Sequence, residues 1–227
     1  MQKRLIVTID GPSGAGKSTV SKILAARLGL TYIDTGAMYR CVAWEARRQG
    51  IAPDDEPGLE ELCRRLKIEF QWTPAGNRVF CNGTEVTEAI RTPEMDMLAS
   101  AVSRVPAVRR ALVQRQRQMG ESGRVILEGR DAGTVIFPDA ELKIYLDADP
   151  EERGRRRHRE QQQRGTAMPL AEVVAEIKKR DHNDSTRAHS PLQAAPDARV
   201  IDTSGMDIDQ VAAAITSLIE EVDSHGN

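Results

Sequence analysis

The amino-acid sequence predicts an α/β fold built on a doubly wound parallel sheet. Its first 50 residues read strand, loop, helix, strand, helix, an order typical of parallel strands joined by crossover helices. Short apolar runs that indicate strands lie at 5–9, 31–33, 124–128, 142–146 and 199–202. Helical patterns separate most of these runs, and an amphipathic helix at 207–223 follows the last one.

A different pattern interrupts this alternation in the middle of the chain. Segment 68–86 contains short strands around the pair Asn82-Gly83, which is a strong hairpin signal. We therefore predict a small antiparallel insert there, followed by a helical segment at 93–120 in which Pro106 starts a second piece. Further helices are predicted at 59–66, 151–164 and 170–180, with a loop at 165–169.

Composition excludes several classes of protein. The 227 residues include 32 Lys and Arg against 34 Asp and Glu, a formal net charge of −2. A chain of this length buries about 70% of its unfolded surface, so its core needs no disulfide or structural metal. Balanced charge argues against nucleic-acid binding over the whole surface, and no apolar run approaches the ~18 residues of a membrane span. Cys41, Cys63 and Cys81 lack C-x-x-C spacing, which favours reduced thiols in a cytoplasmic protein.

A glycine-rich motif follows the first predicted strand. Gly11, Gly16, Lys17 and Ser18 match the phosphate-loop pattern G-x-x-x-x-G-K-[ST] in full, between a strand and a helix. The glycines let backbone N–H groups approach phosphates, and the helix adds its positive N-terminal end. Lys17 would lie along the β- and γ-phosphates of a nucleotide, and the Ser18 hydroxyl would bind Mg²⁺. The predicted ATP-binding residues of this loop are Gly11, Pro12, Ser13, Gly14, Ala15, Gly16, Lys17, Ser18 and Thr19.

Two later segments carry candidate groups for a phosphate acceptor. Thr35 and Arg40 open the second helix, where a hydroxyl, the helix N-terminus and a guanidinium could hold a second anion. The alternative is a capped helix with a surface arginine. Glu128, Arg130 and Asp131 follow a core strand, at the edge where ligands of parallel sheets gather. Glu128 is a candidate to hold Mg²⁺ through water, and the alternative is an acid in a simple turn.

Two arginine-bearing segments, 151–159 and 180–187, flank the predicted loop at 165–169. Taken alone, each is typical of a solvated face. A nucleic-acid patch is a second interpretation, but no aromatic residues interleave with these arginines for base stacking. A lid over transferring phosphates fits better, because guanidinium groups neutralise charge and a closed lid excludes water.

Together these motifs resemble the bacterial cytidylate kinases, a family of nucleoside-monophosphate kinases with the P-loop fold. The resemblance runs from Ile6 to about Val211 and is carried by I-D-G-P-S-G-A-G-K-S-T, Y-I-D-T-G-A-M-Y-R, the hairpin insert, E-G-R-D-A-G-T-V-I-F-P-D-A and R-D-H-N-D-S-T-R-A. It implies a five-stranded parallel sheet, a monophosphate-binding insert and an arginine-rich lid. The implied single domain has a core at 1–58, 105–150 and 188–227, an insert at about 59–104 and a lid at about 151–187.

The resemblance also implies a reaction: transfer of the γ-phosphate of ATP to CMP or dCMP, with Mg²⁺, in a cytoplasmic monomer without nucleic-acid or membrane partners. Lys17, Arg130 and Arg187 take the catalytic positions, and Arg156 and Arg157 join the ATP site. The CMP positions fall on Ser100, Arg109 and Asp131 for the base, Thr35, Arg40, Arg130 and Arg187 for the phosphate, and Arg180 and Asp184 for the ribose, with Tyr39 nearby. The chain departs mildly from the usual residues of this family at two positions. Thr35 stands where Ser is common, and Glu128 stands where Asp is common.

The implied base-reading residues suit the chemistry of cytosine. Asp131 can accept a hydrogen bond from the amino group at C4 while Arg109 donates to the ring. Uracil would turn a carbonyl towards Asp131 and a ring N–H towards Arg109. Because each unpaired buried polar group costs about 1–3 kcal/mol, two mismatches would disfavour uracil about a hundredfold.

Three other functions stay open from the residues alone. A kinase for UMP, AMP or shikimate is disfavoured by Ser100, Arg109 and Asp131, though only through the resemblance. A regulatory P-loop module would not need so many ligands for a second phosphate, and the sequence lacks the guanine-reading motif N/T-K-x-D. A nucleic-acid-binding ATPase conflicts with the balanced net charge.

Overall fold

The computed structural model describes residues 4–73, 76–121, 123–163, 165–166 and 168–224, except the side chain of Trp72. The chain forms two compact units, Met1–Ile33 with Met119–Asn227, and Asp34–Gln118. The predicted division into core, insert and lid stays a prediction. The predicted lid includes Arg164 and Ala167, which lie outside the described residues. Within the described ranges, no helix is both long enough and apolar enough to cross a bilayer.

The observed elements follow the predicted order closely. The strands are β1 Leu5–Asp10, β2 Thr31–Asp34, β3 Ile68–Thr73, β4 Gly76–Cys81, β5 Thr84–Glu85, β6 Arg124–Gly129, β7 Leu142–Asp147 and β8 Arg199–Asp202. The helices are α1 Lys17–Leu28, α2 Thr35–Gln49, α3 Glu56–Arg65, α4 Pro93–Val102, α5 Pro106–Met119, α6 Pro150–Gln163, α7 Leu170–Thr186 and α8 Ile208–Ser224. A π-helical turn, Ala132–Ile136, follows β6 and has no counterpart among the sequence predictions.

The main sheet has five parallel strands in the order β2-β6-β1-β7-β8, which confirms the predicted fold class. β1 lies at the centre, with Ile9 opposite both Glu128 of β6 and Ile144 of β7. All six residues of β1 are buried, because a central parallel strand is covered on both faces. The phosphate loop therefore starts from the central, fully buried strand of the sheet.

The core on one face of this sheet consists of branched aliphatic side chains. Val7 and Ile9 pack with Val20 and Leu24 of α1 and with Ile215 of α8. Full burial of one such side chain contributes about 1.5–3 kcal/mol, so this layer fixes α1 on the sheet. On the other face of β1, Gly133 of the π-helical turn lies close to Thr8, where an added Cβ would stand 2.8 Å from the Thr8 hydroxyl.

The unit Asp34–Gln118 contains α2 to α5 and a three-stranded antiparallel sheet in the order β3-β4-β5. Asn82 and Gly83 join β4 to β5 with φ angles of 49° and 79°, as the Asn-Gly hairpin signal predicts. Pro106 begins α5, which confirms the predicted break within 93–120. The antiparallel insert is therefore confirmed.

The prediction that the helix at 170–180 ends at Arg180 was wrong. α7 continues to Thr186, although Asp, Asn, Ser and Thr are weak helix formers. Tertiary and local contacts hold the extra turns: Arg130 Nε donates to Asp184 Oδ2 at 3.0 Å, and Thr186 Oγ1 donates to the His182 carbonyl at 2.7 Å. Asp181 and Asp184 therefore lie on α7 instead of in a loop.

Candidate active site

The phosphate loop joins β1 to α1 and depends on glycine at two positions. Gly11 has φ 146°, and a Cβ there would lie 2.0 Å from the carbonyl oxygen of Leu146. Gly14 has φ 78°, and its Cβ would lie 3.0 Å from Arg153. Gly16 precedes α1 without a side-chain cap, so the first N–H groups of α1 suit an anion. This geometry agrees with the predicted binding of phosphates.

Lys17 lies at the start of α1 with only 6% of its surface exposed. Its Nζ donates to the Pro12 carbonyl at 2.5 Å, which holds the side chain along the loop. Burial lowers its pKa well below the usual value, and the nearby charge of Arg130 lowers it further. Glu128 and Asp10 act in the opposite direction. A bound phosphate would favour the charged form, so the lysine is poised for an anion.

Glu128 and Ser18 come together beside the phosphate loop. The Ser18 hydroxyl donates to Glu128 Oε2 at 2.7 Å, and the Tyr32 hydroxyl donates to the other carboxylate oxygen. Tyr32 therefore fixes the carboxylate, a role that sequence reasoning missed. A hydroxyl and one carboxylate are hard oxygen donors of the kind that Mg²⁺ accepts together with substrate phosphates. The residues present fit that ion.

Asp10 is a second group that sequence reasoning missed. It ends β1 and accepts hydrogen bonds from the backbone N–H groups of Ala132, at 2.8 Å, and Gly133, at 2.7 Å. Burial raises its pKa from 3.8 to about 6, while these two amides lower it. Asp10 thus anchors the π-helical turn that follows Arg130 and Asp131. A carboxylate at the end of an otherwise apolar strand was the available signal.

A group of charged side chains links β6 to the end of α7. Asp184 pairs with Arg130 at 3.0 Å, and Arg187 Nη2 lies 3.8 Å from Asp131 Oδ1. Burial alone would raise the pKa of Asp184, but Arg130, Arg180 and Arg187 outweigh burial and lower it. The structure therefore brings these five predicted residues together, with more positive than negative charge. Such a group suits phosphate oxygens.

Arg153 of α6 connects the phosphate loop to α7. Its Nη1 donates to the Ser13 carbonyl at 3.0 Å and to Asp181 Oδ2 at 2.5 Å, and its Nε donates to the Ala148 carbonyl at 2.8 Å. This pairing explains why the arginine is buried despite its charge. Sequence reasoning placed Arg153 in an arginine-rich run and could not separate it from its neighbours.

Arg156 and Arg157, the predicted ATP ligands on α6, have other partners in the structure. Arg156 donates to the Thr203 carbonyl at 2.6 Å and to its hydroxyl at 3.0 Å. Arg157 Nη1 lies 3.4 Å from Glu160 on the same helix. Arg156 is thus fixed on the segment after β8, and its role in ATP binding stays a prediction.

In the unit Asp34–Gln118, the start of α2 is capped and surrounded by ion pairs. Asp34 accepts from the Ala37 N–H at 2.8 Å and pairs with Arg91 at 2.7 Å. Burial would raise the pKa of Asp34, but Arg91 and Arg40 outweigh it and lower the value. Arg40 pairs with Asp96 of α4 and is not a surface arginine. Thr35, the first residue of α2, is buried beside this group.

The same unit brings two of the predicted nucleoside ligands together. The Arg109 guanidinium carbon lies 5.7 Å from the centre of the Tyr39 ring, within cation–π range. Arg109 is 5% exposed and donates to the Ser103 carbonyl at 3.3 Å. Ser100 lies on α4, where its carbonyl accepts from the Ser103 hydroxyl at 2.8 Å. A buried, preorganised guanidinium is suited to donate to a ring acceptor.

Comparison with known proteins decides the family. A family model described as cytidylate kinase matches residues 7–221. The chain belongs to the cytidylate kinase family. Cytidylate kinases of Syntrophotalea carbinolica and Citrifermentans bemidjiense are 50% and 51% identical, over 97% and 96% of this chain and 94% and 93% of theirs. The resemblance stated from the sequence motifs is therefore confirmed.

Two further comparisons extend this result. A bifunctional pantoate ligase/cytidylate kinase of Synechococcus is 47% identical over 97% of this chain, which covers 46% of that longer protein. The crystal structure of shikimate kinase from Bacteroides thetaiotaomicron aligns with a TM-score of 0.51 at 16% identity, over 96% of this chain and 99% of that one. At that identity the likeness supports the shared P-loop kinase fold alone. Family membership therefore separates the chain from shikimate kinases.

Proposed function

We propose that this member of the cytidylate kinase family transfers the γ-phosphate of ATP to CMP or dCMP, giving CDP or dCDP and ADP. The observation that carries the proposal is the cluster of basic side chains beside the phosphate loop, formed by the buried Lys17 and the partly buried Arg130 and Arg180. Positive charge held out of water is costly unless an anion accompanies it, and a phosphoryl group in transfer is such an anion. Family membership then specifies the acceptor.

The phosphate loop, Gly11 to Thr19, is the proposed site of the ATP phosphates. Lys17 would reach the β- and γ-phosphates, and the first N–H groups of α1 would bind phosphate oxygens. We assign Arg156 and Arg157 to the same nucleotide on the resemblance alone. For Arg156, this assignment requires exchange of its bonds to Thr203 for bonds to ATP.

Mg²⁺ is the proposed cofactor, held by Ser18 directly and by Glu128 through water. When bound, the ion neutralises charge on the phosphates of ATP. The 2.7 Å hydrogen bond from the Ser18 hydroxyl to Glu128 supports the pairing, because it holds two oxygen donors side by side. Tyr32 keeps the carboxylate in place from the other side.

The proposed acceptor site uses the residues that the resemblance assigns. Thr35, Arg40, Arg130 and Arg187 would bind the monophosphate. Ser100, Arg109 and Asp131 would read the base, and Arg180 and Asp184 would contact the ribose, with Tyr39 nearby. The ion pair between Arg130 and Asp184 supports this assignment, because it holds both groups in position before substrate arrives.

Transfer is proposed to be direct and in line, without a covalent intermediate on the protein. Lys17, Arg130 and Arg187 would stabilise the charge that spreads over the phosphoryl oxygens during transfer. Asp184 pairs with Arg130 and Asp131 lies near Arg187, so these two carboxylates reduce the repulsion between the arginines. We also propose that the protein works as a cytoplasmic monomer, and the buried free thiols of Cys41, Cys63 and Cys81 are compatible with a reducing environment.

The experiment that tests the proposal is ADP release from Mg-ATP in a coupled assay, with CMP, dCMP, UMP, AMP, dTMP and shikimate as acceptors. We expect rapid turnover with CMP and dCMP alone, and none in a control without acceptor. Turnover with another acceptor would still support a kinase activity, but it would contradict the assignment of Ser100, Arg109 and Asp131 as the residues that read the base. ADP release without any acceptor would contradict the transfer reaction.

A further inference from the structure

The ion pair between Arg40 and Asp96 is not accounted for by the assigned ligands. Arg40 lies in the first turns of α2, and Asp96 lies in the first turn of α4. Asp96 Oδ1 accepts from Arg40 Nε at 2.8 Å and contacts Nη2 at 2.7 Å. The two side chains are only 13% and 14% exposed, so the pair is shielded from solvent. Shielding makes this pair stronger and more rigid than a surface salt bridge.

The geometry of the pair leaves a defined part of the guanidinium facing the start of α2. Asp96 binds the edge formed by Nε and Nη2, while Nη1 stands 3.0 Å from the position that a Cβ on Gly36 would occupy. The edge formed by Nη1 and Nη2 can also bind a phosphate in a bidentate manner. The N-terminus of α2 adds its positive end at the same place.

We propose that Asp96 is the positioning residue of the acceptor phosphate site, holding Arg40 so that its Nη1 edge is presented at the N-terminus of α2. The inference rests on the proposed role of Arg40 in binding the monophosphate. Asp96 does not touch the substrate in this account. It acts by fixing the guanidinium before CMP arrives.

The alternative effect of Asp96 is repulsion, because its carboxylate is a negative charge near a site for a phosphate. The neighbourhood explains why positioning outweighs this effect. Asp34 Oδ1 also borders this place, 3.4 Å from the position that a Cβ on Gly36 would occupy. An Arg40 released from Asp96 is attracted to Asp34, and its phosphate-binding edge is then occupied. Asp96 therefore keeps Arg40 available and leaves Asp34 to cap α2 and pair with Arg91.

The chain offers a matched control on the same two helices. Arg47 of α2 pairs with Glu94 of α4 at 3.0 Å, with side chains 59% and 47% exposed. Glu94→Ala removes a carboxylate from the same turn of α4 and an ion pair to the same helix. An exposed pair of this kind contributes little to stability. Any effect of general loosening between α2 and α4 will appear in this variant too.

The test is steady-state kinetics of Asp96→Ala, Asp96→Asn, Arg40→Ala, the Asp96→Ala/Arg40→Ala double variant and Glu94→Ala, with CMP and ATP varied separately. We expect Asp96→Ala to raise KM for CMP about 3- to 10-fold, the loss typical of one unfixed charged side chain, while KM for ATP stays within twofold. Asp96→Asn keeps an acceptor oxygen and should recover most of the affinity. Glu94→Ala should match the parent protein, and the double variant should be no worse than Arg40→Ala.

Each contrary result has a separate meaning. A lower KM for CMP in Asp96→Ala would show that the carboxylate competes with the phosphate and would overturn the inference. Equal effects of Asp96→Ala and Glu94→Ala on KM for CMP would show that the Arg40–Asp96 pair only holds α2 against α4, and would overturn the inference. If KM for CMP rises in Arg40→Ala but not in Asp96→Ala, the positioning role of Asp96 is overturned and the phosphate role of Arg40 stands. If KM for CMP is unchanged in Arg40→Ala, the phosphate role of Arg40 is overturned as well. If Asp96→Ala does not fold, Asp96→Asn and the charge-retaining Asp96→Glu decide the same question.

Discussion

Asp10 makes the stability of this protein depend on pH in a direction opposite to that of most carboxylates. Its pKa is raised from 3.8 to about 6 by burial. Between these two values the folded protein binds a proton that the unfolded chain has released. Stability contributed by Asp10 is therefore complete at low pH and is lost as pH rises towards and through 6.

The magnitude follows from the size of the shift. A change from 3.8 to about 6 is about 2 pKa units, and each unit corresponds to 1.36 kcal/mol, so the full effect is about 3 kcal/mol. About 2 kcal/mol of this stability is lost as the pH rises from 4.5 to 7.5, by the same linkage between proton binding and unfolding. Asp10→Asn does not titrate. We therefore expect the difference in unfolding free energy, variant minus parent, to increase by about 2 kcal/mol over this pH range.

The assay is urea unfolding of both proteins at several pH values between 4.5 and 7.5. Other carboxylates with shifted pKa values, such as Asp34 and Asp184, are common to both proteins and cancel in the difference. Asparagine retains one acceptor for the Ala132 or Gly133 N–H, so a constant offset is expected in addition to the slope. A difference that does not change with pH would refute the reasoning, whatever the size of the offset.

Three further predictions concern catalysis, specificity and the loop itself. Lys17→Ala should lower kcat by orders of magnitude, because it removes charge from the β- and γ-phosphates; near-normal turnover in the coupled assay would contradict the assigned role. Asp131→Ala should weaken CMP and narrow the preference over UMP, and an unchanged ratio of kcat/KM values would mean that the base is read elsewhere. Gly11→Ala should destabilise the protein by about 3 kcal/mol or more, because its Cβ meets the Leu146 carbonyl at 2.0 Å. Gly50→Ala is the matched control in thermal unfolding, with φ 69° and open space, and about 1 kcal/mol is expected there.

The local patterns in the sequence predicted nearly all of the strands and helices. Apolar runs and helical periodicity depend on neighbouring residues, so the central strand β1 and the amphipathic helix α8 were predicted to within a residue at each end. The Asn82-Gly83 turn is equally local, because both residues adopt positive φ easily. The final turns of α7 were missed because Arg130 stabilises them through Asp184, 54 residues away in sequence.

The candidate site was predictable where a motif fixes the chemistry and unpredictable where partners come from distant segments. The phosphate loop was identified from its own residues. Asp10 meets the amides of Ala132 and Gly133 across 122 and 123 residues, and no sequence spacing indicates that contact. The partner of Arg40 was missed for the same reason, since Asp96 is separated from it by 56 residues. The sequence therefore indicates candidate ligands more readily than the groups that position them.

The buried guanidinium of Arg153 limits which amino acids the arginine-rich helix can tolerate. Three oxygens from three separate segments accept from this one planar group, and the single ammonium of a lysine does not reproduce that fork. Arg155 and Arg159 are more than half exposed and can be exchanged for other polar residues at little cost. The run of arginines in α6 thus combines one position that depends on a guanidinium, Arg153, with two exposed positions, Arg155 and Arg159, that do not. The composition of this helix therefore says less about its role than the identity of residue 153.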